Sequence, residues 1–202
     1  MSILYLMAAK AEFGPHLAAR IQPTMIGIGP VEAALATTRI LAERHESLPS
    51  LVVCLGSAGS HRLTQCGVYQ AISVSYRDMD ASALGFPKGV TPLLDLPPTL
   101  DLVPTVAGLV PATLSTGANV VTGPAYDALV EDMVDMETFA VKRACQTFGV
   151  PLLGLRGISD GDETVSRIED WTQYLHIIDE RLAEAVDLVE TAFAAGEIDL
   201  SA

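Results

Sequence analysis

The sequence predicts an α/β protein whose strands are covered by helices on both faces, and three features carry that prediction. Apolar runs recur at Ile3 to Ala9, Thr24 to Ile28, Leu51 to Leu55, Val68 to Ser75, Thr105 to Ser115 and Leu152 to Ile158. They are mostly continuous rather than alternating, the pattern of strands buried on two sides. Segments with helical spacing lie between them. Hydrophobic residues make up 50% of the 202-residue chain, enough for one large core, so a single domain spanning 1–202 is expected.

Taken in order, the opening run mimics the core of a signal peptide, with Ala9-Lys10-Ala11 resembling a cleavage site. It lacks a basic start and is short, so a buried first strand is the expectation. The second run leads through Gly27-Ile28-Gly29-Pro30-Val31 into a helix over Pro30 to Arg44, which starts on proline and ends on basic residues, as the helix dipole favours. Free backbone N–H groups at that turn could meet a ligand, but Pro30 removes one donor and a plain strand-to-helix turn is the expected reading. The third run closes on Gly56-Ser57-Ala58-Gly59-Ser60, small residues that let backbone approach a ligand closely. A proline-rich stretch from Gly85 to Pro104 reads as an irregular loop. A helix is expected over Met136 to Phe148, with Asp135 as its N-cap and Gly149 then Pro151 ending it. After the strand Leu152 to Ile158, one long helix is expected over Asp170 to Ala195.

A net charge of -13 disfavours a nucleic-acid-binding surface, which needs a basic footprint, and equally disfavours docking on anionic lipid, so the expected partner is a small molecule. No apolar run approaches the ~20 residues that span a bilayer. The odd set Cys54, Cys66 and Cys145 has no C-x-x-C spacing, which argues against a disulfide framework or zinc cluster and fits a reducing cytoplasm. His16, His45, His61 and His176 show no metal-ligand spacing, so no metal is expected, and His61 sits in a polar turn without a visible partner. Neither a P-loop nor a G-x-S-x-G nucleophile elbow is present.

The residues that point to chemistry are Glu12 after the first strand, Gly56 to Gly59, Val134-Asp135-Met136-Glu137, and Arg156-Gly157-Ile158-Ser159-Asp160. They place carboxylates at the carboxyl ends of strands, where parallel sheets bind ligands. Glu137 also suits a helix N-terminus as a simple favourable charge. Arg156 and Asp160 fall on one face if their strand stays extended.

These segments, with Tyr76-Arg77-Asp78-Met79-Asp80-Ala81, resemble the nucleoside phosphorylase and nucleosidase superfamily, most of all its 5′-methylthioadenosine/S-adenosylhomocysteine nucleosidases. The resemblance covers most of the chain, and the Met136-Glu137 and Ser159-Asp160 steps are its specific parts. It implies a three-layer α/β/α fold with a central mixed twisted sheet, no cofactor, a homodimer, and cleavage of the bond between purine and ribose. It implies Asp160 as the acid that protonates the leaving base, Glu12 as the base that activates water, and Glu137 as the holder of the ribose hydroxyls with Met136 against the sugar. Ser57, Ala58, Arg156 and Ser159 are the implied supporting contacts, and the backbone of Val120 would read the base edge.

Phosphorylases of this superfamily carry an arginine just before the glycine-serine turn; here that neighbourhood is Cys54-Leu55-Gly56-Ser57, which favours water over phosphate. The chain departs from the family in three places. A hairpin before Thr24 is missing, Asn119 stands where an aromatic ring stacks on adenine, and Ala9 replaces a larger residue of the 5′ pocket. Leu84 and Phe86, from the same chain or a neighbouring subunit, are expected to wall that pocket.

Overall fold

The computed structural model describes residues 1–161 and 167–200. The strands are β1 (Ile3–Met7), β2 (Thr24–Met25), β3 (Leu51–Gly59), β4 (Val68–Tyr76), β5 (Thr99–Asp101), β6 (Val110–Thr116), β7 (Met133–Asp135) and β8 (Leu152–Asp160). The helices are α1 (Pro15–Ala18), α2 (Pro30–Glu43), α3 (Thr138–Phe148), α4 (Ile168–Thr172) and α5 (Leu175–Ala195).

One mixed sheet joins all eight strands in the order β2-β1-β3-β7-β6-β4-β5, with β8 bonded to both β3 and β4. β8 therefore closes a ring through β3, β7, β6 and β4, from which β1 with β2 and then β5 extend as arms. The β1/β3, β3/β8, β4/β6 and β6/β7 pairs are parallel, and β4/β8, β4/β5 and β3/β7 are antiparallel.

Alternation along the buried strands feeds two cores. Leu4, Leu6, Val52 and Cys54 pack with Ala33 and Leu41 of α2 and Val141 and Cys145 of α3. Tyr5, Met7, Leu51, Val53 and Leu55 pack with Leu17 of α1 and Ile178, Leu182 and Val186 of α5. Helices thus cover both faces, giving the three layers. Asp179 of α5 pins α1 by accepting the backbone N–H groups of Gly14, His16 and Leu17. Such a buried carboxylate supplies acceptors for orphan donors at a helix start.

Several boundaries differ from expectation, each for a local reason. β3 runs through the glycine-serine turn to Gly59 because β8 pairs with it from Val52↔Leu152 to Ala58↔Ile158. The register then shifts so that Gly59 meets Asp160, leaving Ser159 as an extra residue in β8. β2 is only two residues long because Gly27, at φ +82°, turns the chain away from the sheet. β6 starts at Val110, after a turn at Gly108 with φ +89°. The long C-terminal helix is divided at Gln173 and Tyr174 into α4 and α5. β5 lies inside the proline-rich stretch, and β7 immediately precedes Met136; both are three-residue strands.

Candidate active site

β1, β3, β7 and β8 end around one cavity of about 460 Å³. Glu12, Ser57, Ala58, Asn119, Val120, Met136, Glu137 and Asp160 all line it, together with Arg77, Ile168 and Trp171. Residues separated by up to 148 positions in the expected set therefore share a single wall. Arg156 and Ser159 are buried behind that wall, at 2% and 1% exposure.

Glu12 stands in a short 3-10 turn, Lys10–Glu12, directly after β1. One of its oxygens, Oε1, accepts both the Ser57 backbone N–H and the Ser57 hydroxyl, each at 2.7 Å. The other accepts the Ala9 N–H at 3.3 Å. Gly56 makes this possible, because a Cβ there would sit 2.8 Å from Glu12 Oε1. Burial pushes the Glu12 carboxyl up from its ordinary value, while the Ser57 donors, the Arg156 charge and the Ala9 N–H pull it down.

Arg156 does not share a face with Asp160: the extra residue at Ser159 breaks the alternation that an extended strand would keep. Its guanidinium pairs with Asp135 at 2.8 Å and also donates to the Cys54 carbonyl and the Thr138 hydroxyl. Burial opposes the charge of Asp135, but Arg156 and the Thr116 and Thr138 hydroxyls hold that carboxyl below its ordinary value. Asp135 ends β7 and accepts the Thr138 N–H at 2.9 Å, so it caps α3 from within the sheet although Glu137 occupies the N-cap position. That leaves Glu137 free to reach across and accept the Gly29 N–H at 2.9 Å. Gly29, with φ +98°, presents the N–H of the turn before α2. Burial and then Asp135 push the Glu137 carboxyl up to about 7, against the pull of Gly29 and Arg156.

Asp160 ends β8 and meets two side-chain donors among the described residues. Ser159 donates its hydroxyl at 2.7 Å, and Tyr126 donates at a long 3.4 Å. Burial raises the Asp160 carboxyl, and the two hydroxyls oppose it. Gly59 opens the space, since a Cβ there would collide with the Tyr126 hydroxyl and the Asp160 carboxylate. His61 has a partner after all: its ring meets Tyr126 edge-on with centroids 5.0 Å apart.

On the neighbouring wall Arg77 donates to the carbonyls of Ser115, Asp135 and Asn119 at 2.6 to 2.9 Å, which fixes the loop carrying Asn119 and Val120. Ala9, Ile28 and Ile168 form an apolar side of the cavity. Leu84 is 76% exposed, and neither it nor Phe86 lines the cavity of its own chain. Trp171 of α4 donates its indole N–H to the Ser57 hydroxyl oxygen at 2.9 Å. Tyr126 and Trp171 escaped the sequence reading: each lies in a stretch without a motif, and Trp171 is 114 residues from its partner. Arg77 was visible only as part of a resembling segment. Among the described residues, no group of three or more His, Cys, Asp and Glu side chains could hold a metal ion. No helix among them is long and apolar enough to cross a membrane.

A family profile described as the phosphorylase superfamily matches residues 13–189. The chain belongs to the phosphorylase superfamily. Within it, the chain is 29% identical over 156 residues to a 5′-methylthioadenosine/S-adenosylhomocysteine nucleosidase of Staphylococcus aureus, covering 68% of this chain and 67% of the relative. Such relatives are named as nucleosidases, N-glycosidic hydrolases, the enzyme class read from the sequence. Among solved structures, futalosine hydrolase of Helicobacter pylori superposes with a TM-score of 0.79 at 22% identity, covering 95% of this chain and 98% of that one. A mutant of the Helicobacter pylori nucleosidase with 5′-methylthioadenosine in its active site superposes equally well, with a TM-score of 0.79 at 21% identity over 94% of this chain and 98% of that one. These likenesses show that this member of the phosphorylase superfamily has the nucleoside phosphorylase-like three-layer fold expected of it.

Proposed function

We propose that this chain is a purine nucleosidase that hydrolyses 5′-substituted adenosines, of the 5′-methylthioadenosine/S-adenosylhomocysteine type, to adenine and the free 5′-substituted ribose. One observation carries the choice of water over phosphate. The N–H and hydroxyl of Ser57, the donors an anion would use at this turn, both already serve the Glu12 carboxylate. A phosphate dianion there would lose its donors and meet a buried negative charge.

In this reading Glu12 takes a proton from water as the water oxygen bonds to C1′ of the ribose. The C1′–N9 bond breaks with its electron pair going to the purine, and Asp160 delivers a proton to N7 so that the base leaves neutral. The raised Asp160 carboxyl supports that role, because an acid must hold its proton near neutral pH. Glu137 binds the ribose hydroxyls and, with Met136, holds the sugar while positive charge develops at C1′; only interactions stronger in that state speed the step. Val120 presents its backbone to the base, and Ala9, Ile28 and Ile168 form an apolar side for the 5′ substituent. The 5′ group, the homodimer and the cytoplasmic setting belong to the same proposal.

The deciding assay incubates the protein with 5′-methylthioadenosine, S-adenosylhomocysteine, futalosine, adenosine and inosine, with and without phosphate, and separates the products. Free base with unphosphorylated sugar in phosphate-free buffer is expected. A strict phosphate requirement would make the chain a phosphorylase, and tight binding without cleavage would make it a nucleoside-binding protein.

A further inference from the structure

The donor on the far side of Ser57 is not accounted for by acid, base or ribose binding. An indole N–H only donates, so in the contact between Trp171 and Ser57 the serine oxygen must accept. The hydroxyl has one proton, and with Trp171 on its lone pair that proton is directed to Glu12 Oε1, 2.7 Å away. Every partner among the described residues that Glu12 meets at hydrogen-bond distance, the Ser57 N–H, the Ser57 hydroxyl and the Ala9 N–H, is then a donor. That shell fits a carboxylate: a carboxylic acid could offer its proton only to the second lone pair of Ser57, which turns the serine proton away from Glu12, its one acceptor among the described residues. Without Trp171 the hydroxyl can also swing its proton into the place the indole N–H holds, so it turns to accept from a protonated Glu12 at less cost. Hydrogen bonds in a row also polarise one another, so the indole makes the hydroxyl a stronger donor.

We propose that Trp171 is a positioning residue for water activation: its indole N–H commits the Ser57 hydroxyl proton to Glu12 and keeps Glu12 an unprotonated base. The inference rests on the assignment of Glu12 as the base. α4 thereby joins the apolar side of the cavity, through Ile168, to the group that charges the nucleophile. Among the other charges, Arg156 also pulls the Glu12 carboxyl down, and Arg77 and Arg167 line the same cavity, but a charge does not orient the Ser57 hydroxyl proton. Arg156 of β8 is ion-paired to Asp135 at the end of β7. Glu137 ahead of α3 and Asp160 at the end of β8 are themselves carboxyl groups lining the cavity. Asp179 of α5, which packs against the Glu12 turn, is occupied by N–H groups of Gly14, His16 and Leu17. Lys10, in the same turn as Glu12, is exposed.

The chain has a single tryptophan, which permits a test that changes one atom. Tryptophan is replaced biosynthetically by benzothienylalanine, which has sulfur in place of N–H, and in parallel by Trp171→Phe. In protein labelled with 13C at the glutamate carboxyl, the Glu12 signal, assigned with Glu12→Gln, is titrated by NMR without substrate. Loss of the N–H should raise the Glu12 pKa by roughly 0.5–1 unit, the equivalent of one neutral hydrogen bond. In a Ser57→Ala background the same replacement should move it by less than ~0.2 unit, because the relay is already cut. The acidic limb of kcat/KM should rise by the same amount, with kcat recovering at high pH. An unchanged Glu12 titration, or an equal shift with and without Ser57, would overturn the proposal, as would a pH-independent rise in KM alone, the mark of packing. If the titration behaves as expected but the wild-type protein cleaves no nucleoside, the nucleosidase reading and the base role fall together while the coupling of Trp171 to Glu12 stands.

Discussion

The two ends of the cavity treat a carboxyl group in opposite ways. Glu12 is held by three donors, two of them on one oxygen, and Trp171 backs one of those. Asp160 at the other end has a serine hydroxyl at 2.7 Å and a tyrosine hydroxyl at 3.4 Å. Glu12 is buried and Asp160 half-buried, yet burial raises both carboxyls, so the direction of that shift does not distinguish them. Among the described residues the supply of donors does: the donor-rich end suits a group that must lose its proton, and the donor-poor end suits one that must keep it. Two carboxyls on one fold can therefore run opposite halves of a hydrolysis.

The sharpest way to break that contrast is at the donor-rich end. Glu12→Gln keeps the shape and removes the base, and the loss of turnover should approach the ~10⁴-fold upper range for acid–base catalysis. Calorimetric binding of substrate should survive; an unchanged rate would move water activation elsewhere. Next is the support beneath the site. Arg156→Met leaves Asp135 buried without its partner and should destabilise the fold by about 3–5 kcal/mol, measured by urea unfolding at pH 7. A loss below ~1 kcal/mol would mean that the threonine hydroxyls suffice for Asp135.

At the donor-poor end, Asp160→Asn should lower turnover by at least ~10²-fold, and wild-type-like rates would remove Asp160 as the acid. Glu137 tests the cost of burying charge. Its carboxyl is raised to about 7 in the folded chain, above its value when unfolded. Its contribution is therefore most favourable below the unfolded value and is lost as pH rises through about 7. Glu137→Gln should be more stable than wild type at pH 8 by on the order of 1–3 kcal/mol, with the advantage vanishing toward pH 4, while turnover falls. Equal stability of the two proteins at pH 8 would refute this. The smallest effect is expected from Tyr126→Phe, which removes the long contact to Asp160: a rate change under ~10-fold, with the alkaline limb of the profile moving up. A loss as large as that of Asp160→Asn would show the acid to be donor-dependent after all.

Much of this was legible in the sequence where signals are local. Continuous apolar runs marked six of the strands, and Pro30 and Gly149 marked helix ends. Glu12, Ser57, Glu137 and Asp160 could be picked out because each sits in a short segment at a strand end. What escaped was set by pairing. β5 and β7, at three residues each, are too short to show a period and exist because β4 and β6 offer them edges. The C-terminal reach of β3 depends on β8, nearly a hundred residues later. Asp135 looked like a simple helix cap; its pairing with Arg156 needed the fold. Tyr126 and Trp171 carry no pattern of their own and gain meaning only from the groups they touch.

The extra residue at Ser159 has a consequence for anyone transplanting this site. Because β3 and β8 are bonded in register from Val52↔Leu152 onward, the bulge works as a spacer: it sets which side of the strand the acid emerges from. Pairing the same residues in regular register, with Ser159 opposite Gly59, would keep every carboxyl group of the site in the sequence and still move Asp160 by one strand step, ~3.3 Å, onto the face of Arg156. A graft of the motif onto a regular strand would thus carry all the right side chains and deliver the proton to the wrong layer.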